Sequence, residues 1–163
     1  MLKKLVLFCC VAVALVLSAP IYTTASSTKD VEDLKKSVNE SINLLEKENK
    51  AFYETLKGLR NLTEDPNANT EDARGALRGY FKVHERKTLA TVQAIGSFLD
   101  FQKSLIENWE DISPKDFRDF MSWSAKKSEK IQKEARPLTE EENITINKAF
   151  LMTHPAAAVF TTP

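Results

Sequence analysis

Cysteine is nearly missing: of 163 residues only Cys9 and Cys10 carry a thiol, and both lie in the first ten positions. If the leading segment is removed, the remaining chain has no disulfide, thiol nucleophile or thiolate metal site, and must hold together by packing alone. Histidine is almost as scarce, with only His84 and His154, so a dedicated zinc site would need several carboxylates at ligand spacing, and none is so placed. Neither a Gly-x-Ser-x-Gly turn, a phosphate-cradling glycine loop nor a His-Glu-x-x-His pair occurs. Net charge is also lacking. Lys plus Arg and Asp plus Glu number 23 each, which excludes the strongly basic field of a nucleic-acid binder. There are four glycines and six prolines, and 28% of the chain is charged, a composition that fits one ordinary folded domain.

The longest apolar run, Leu5–Leu17, follows Lys3 and Lys4 and is succeeded by small residues. As a helix it would cover about 20 Å, short of a hydrocarbon core of roughly 30 Å. Residues 1–25 are therefore expected to be a secretory signal peptide, cut after the small-x-small triplet Thr23-Thr24-Ala25. Its removal leaves 138 residues with a charge of −2, His neutral, and no transmembrane helix. The expected location is outside the cell, or the periplasm if the host is bacterial. Asn39, Asn61 and Asn143 each begin an Asn-x-Ser/Thr triplet, a glycosylation signal in eukaryotic secretion, and all three are expected to face solvent.

Residues 26–154 have helical spacing almost throughout. Ser27 and Asp30 suggest a start signal, after which Val31, Leu34, Val38, Ile42, Leu45, Phe52, Leu56, Leu59 and Leu62 recur at three- and four-residue steps. So narrow a stripe resembles a bundle or coiled-coil seam, and Glu32 with Lys36 and Glu46 with Lys50 are spaced to pair along its outer face. Residues 63–69, with Glu-Asp-Pro-Asn-Ala-Asn, form a turn. A second long helix begins near Thr70, with Ala73, Leu77, Tyr80, Phe81, His84, Val92, Ile95, Phe98, Leu99, Leu105, Ile106 and Trp109 as its inner series. His84 and Thr88 weaken that stripe and predict a kink. Gly75, Gly79 and Gly96 predict close approach of a neighbouring helix.

Ser113-Pro114-Lys115-Asp116 starts a third helix, with Phe117, Phe120, Met121, Ser124, Ser128, Ile131 and Ala135 inward, ended by Pro137. Thr139 and Glu142 start a short fourth helix carrying Ile144, Phe150 and Leu151. Residues 155–163 are an apolar tail. The expected fold is all-α: an elongated antiparallel bundle of three main helices plus a short C-terminal helix.

Chemistry is thinly represented. His84-Glu85 beside Tyr80 is a weak candidate for a base and its orienter, since a lone histidine on a helix face more often makes a single structural contact. Glu140-Glu141-Glu142 is better explained by the positive end of a helix than by a bound cation. The most suggestive concentration is aromatic: Phe98, Phe101, Trp109, Phe117, Phe120 and Trp123 flank the turn at Ser113 and are expected to gather at one end, as a filled core or as the lining of an apolar ligand site. The function expected from these features is that of a secreted, non-enzymatic interaction protein without cofactor, binding another protein or itself. The alternative is a carrier of a lipid or other apolar small molecule held near Trp109 and Trp123.

Overall fold

A computed structural model describes residues 28–154. The expected signal peptide, the Ser27 start signal and the tail from Pro155 to Pro163 lie outside them. Among the described residues the fold is all-α, with four helices and no strand: α1 Thr28–Glu64, α2 Thr70–Glu107, α3 Pro114–Glu134 and α4 Glu140–Thr153. No helix among the described residues is long and apolar enough to cross a membrane.

The boundaries follow local chemistry. In the α1–α2 turn, Asp65 accepts from the backbone of Asn67, and the Asn69 side chain accepts from the amides of Glu71 and Asp72 to open α2. At α3 the Ser113 hydroxyl accepts from the Asp116 amide and donates to its carboxylate. A reciprocal capping box between Thr139 and Glu142 opens α4.

The chain divides into two compact units. In the first, whose described parts are 28–40 and 95–129, Val31 and Val38 are buried with Phe98, Phe101, Leu105, Ile112 and Phe120. In the second, 41–94 with 130–154, the core joins Phe52, Leu56 and Leu59 of α1 to Leu77 and Tyr80 of α2 and Ala149 of α4. Here α1 and α2 run antiparallel: Glu48 meets Arg86, and Phe52 meets both His84 and Tyr80.

Several expectations are corrected. Helix α2 is continuous through 82–88, and His84 and Thr88 are exposed. Its inner face between Tyr80 and Phe98 carries Lys87, Ala90 and Ala94, whereas Phe81 and Val92 point outward. Large side chains of α1 already fill this region, so small alanines and the aliphatic stem of a lysine fit opposite them. Among the described residues nothing lies within 4 Å of where a side chain would stand at Gly75, Gly79 and Gly96, so no described helix packs closely against them. Helix α4 turns Thr145, Ala149 and Thr153 inward and leaves Ile144 and Phe150 exposed. On α3, Met121 is exposed. The surface pairs also differ, since Lys35 meets Glu32, Lys36 meets Glu40, and Glu46 is taken by Lys130 at 2.8 Å.

Candidate functional site

In the first unit the expected aromatic group assembles only in part. Phe101 meets Trp123 with ring centres 4.8 Å apart and Phe120 edge-on at 6.3 Å, and Lys35 places its ammonium 5.3 Å from the Phe120 ring centre. Phe98, Phe101 and Phe120 are buried, Phe117 and Trp123 half-buried, and Trp109 stands 60% exposed. Complete burial of Phe101 and Phe120 between ring and lysine partners is the arrangement of a filled core.

Among the described residues the second unit has clefts between its helices, and the two described below are lined by none of those six residues. The smaller, about 310 Å³, lies between α1 and the start of α4, beside Arg60 and its ion-pair partner Glu141. The larger, about 480 Å³, is walled by Phe52, Val92, Pro137 and Leu138, with His84, Lys87, Arg136 and Asn143 as its principal polar residues. Its size falls within the range of small-molecule sites.

Polar chemistry around the larger cleft is built from three helices and the α3–α4 turn. Lys87 is only 9% exposed, and its ammonium lies 4.4 Å from the Phe52 ring centre and 5.3 Å from that of Tyr53. Burial, then the nearby Arg136 guanidinium, lowers its pKa below that of an ordinary lysine. Arg136 stacks 4.8 Å from the Tyr53 ring centre and donates twice to Glu142, at 2.7 and 3.1 Å, and once to the Pro137 carbonyl. Those bonds from Arg136, helped by the Thr139 backbone and hydroxyl, hold the Glu142 carboxyl down to about 2 against the opposing effect of burial. Burial pushes the phenols of Tyr53 and Tyr80 upward.

Behind these groups, buried Asn49 donates to the Glu134 carboxylate at 2.5 Å, while its own amide oxygen has no partner among the described residues. Glu142 is therefore committed to Arg136 and the helix cap, and Glu134 to Asn49.

His84 lies against the rings of Phe52 and Tyr80, at 5.8 and 5.7 Å, and His154 meets the Thr153 hydroxyl. Among the described residues no His, Cys, Asp and Glu side chains gather into a group that could hold a metal ion. Asn61 and Asn143 are exposed, as their triplets predict, but Asn39 is half-buried.

Sequence reasoning missed the Lys87 site because its inner series for the second helix passes from His84 to Val92 without Lys87. One signal was present: in the steps between Tyr80 and Phe98, Lys87, Ala90 and Ala94 continue the inner face better than the bulkier Val92 does. Comparison with models of protein families, with curated proteins and with solved structures finds no match for this chain.

Proposed function

We propose that this chain is an exported, non-enzymatic helical protein that works by binding another protein chain, in its simplest form a second copy of itself. The observation that carries the reading is an apolar surface on the second unit. Phe81 is half exposed and meets the half-exposed ring of Phe150 edge-on at 6.2 Å, and Leu89, on the same side of α2, is 63% exposed. Exposed large apolar side chains grouped in this way are characteristic of contact surfaces. The scarcity of histidine, with His84 packed against rings rather than a carboxylate, supports a role other than catalysis.

The test is sedimentation of residues 26–163 from micromolar to millimolar concentration. Self-association that rises with concentration is expected, and its loss in a Phe81→Glu, Leu89→Glu variant of unchanged helical content. A wild-type monomer throughout, or a variant that associates as well as the wild type, counts against it. Recovery of a chain beginning at Ser26 from the medium or periplasm checks export.

A carrier role for a small apolar molecule is a second reading. The 480 Å³ cleft beside Phe52 supports it, in preference to the aromatic group around Phe101.

A further inference from the structure

An ammonium that meets ring faces at the wall of a cleft has room for a better acceptor. Attraction to ring faces is weaker than a charge-assisted hydrogen bond to a carboxylate or carbonyl acceptor. Lys87 is in that position: its stem is buried, its head meets Phe52 and Tyr53 beside the larger cleft, and among the described residues it makes no ion pair. The neighbouring carboxylates act on it without an ion pair: Glu142 is bound twice by Arg136 and closes the Thr139 cap, and Glu134 accepts from Asn49.

What the cleft offers beside this head narrows the ligand. Phe52, Val92, Pro137 and Leu138 give it apolar walls, and the same opening holds Arg136 and His84 but no acidic side chain. A cation would meet like charge. A neutral hydrocarbon would cover the ammonium without giving it an acceptor, and a bare phosphate would leave the apolar walls without a counterpart.

We infer that this cleft binds a single small amphiphilic carboxylate, its head on the Lys87 ammonium and its apolar tail along Phe52, Val92, Pro137 and Leu138. The inference rests on the carrier reading and sharpens it by fixing the ligand's charge; it is independent of the protein-contact surface at Phe81 and Leu89. The lysine is then the group that selects carboxylates over uncharged molecules of the same shape.

The experiment is calorimetric titration of residues 26–163 at neutral pH with octanoate and with 1-octanol, at concentrations where both stay monomeric, so that micelle adsorption does not enter. Octanoate is expected to bind saturably with one molecule per chain, at least tenfold more tightly than octanol. Lys87→Met should remove that preference by weakening octanoate at least tenfold while leaving octanol unchanged. Val92→Glu, at an exposed position on the cleft wall that folding does not depend on, should weaken octanoate as well. If octanol binds as tightly as octanoate, the carrier reading stands and the role of Lys87 falls. If neither binds, both fall. Octanoate binding unchanged in Lys87→Met, or unchanged in Val92→Glu should the methionine variant fail to fold, also overturns the proposal.

Discussion

Asn49 and Glu134 are 85 residues apart in sequence and joined by a 2.5 Å hydrogen bond, the Asn49 amide donating to the Glu134 carboxylate. The bond ties the middle of α1 to the last turn of α3 inside the second unit. It leaves the Asn49 amide oxygen buried without a donor among the described residues. Asn49→Asp would replace the donor with a second carboxylate. The expected outcome is a loss of about 2–3 kcal/mol at neutral pH in denaturant unfolding.

The Arg136–Glu142 pair gives a pH signature. The Glu142 carboxyl is lowered from 4.5 to about 2 in the folded chain, chiefly by its hydrogen bonds from Arg136. A depressed acid stabilises the fold fully above its unfolded value and loses that contribution as pH falls toward the folded one. Glu142→Gln should therefore cost about 1 kcal/mol at neutral pH, a modest figure because the Arg136 side of the pair is open to water. Melting curves of variant and wild type should converge as pH drops from about 4.5 to about 2.

Gly75 and Gly79 lie within α2, and among the described residues none stands within 4 Å of where a side chain would be. An alanine there meets none of them and loses less backbone freedom on folding. Gly75→Ala and Gly79→Ala should each raise stability by up to about 1 kcal/mol, read as a higher melting temperature, with no change in association. Had a helix packed against these positions, the same changes would have been destabilising.

Helix α3 depends on its first turn. Ser113→Ala removes the oxygen that accepts from the Asp116 amide, and a loss of about 1 kcal/mol is expected in chemical unfolding.

Helix positions were legible in the sequence because their punctuation is local: Asp65-Pro66, Ser113-Pro114 and the Thr139–Glu142 box each act within four residues, and the structure places boundaries at or within two residues of them. Facing was less legible, because it depends on what stands opposite. Val92 is more apolar than Lys87, yet Val92 is exposed and Lys87 buried, since the rings of Phe52 and Tyr53 accept a long stem and a cation from α2. Of the expected aromatic group, Phe101 meets both Phe120 and Trp123, whereas Trp109, expected to face inward, is exposed past the end of α2 in the turn where helical spacing no longer applies. The larger cleft needs residues from α1, α2, the α3–α4 turn and α4 together, and no spacing along one segment reveals such a convergence.

Asn143 belongs to a glycosylation triplet and to the rim of the larger cleft, and its side-chain nitrogen, the atom that would carry a sugar, donates to the Thr139 carbonyl. A glycan there would compete with that bond and stand over the entrance beside Arg136 and Leu138. The same polypeptide made with and without glycosylation would then present different doorways to Lys87, making the host's secretory pathway a determinant of what the cleft can admit.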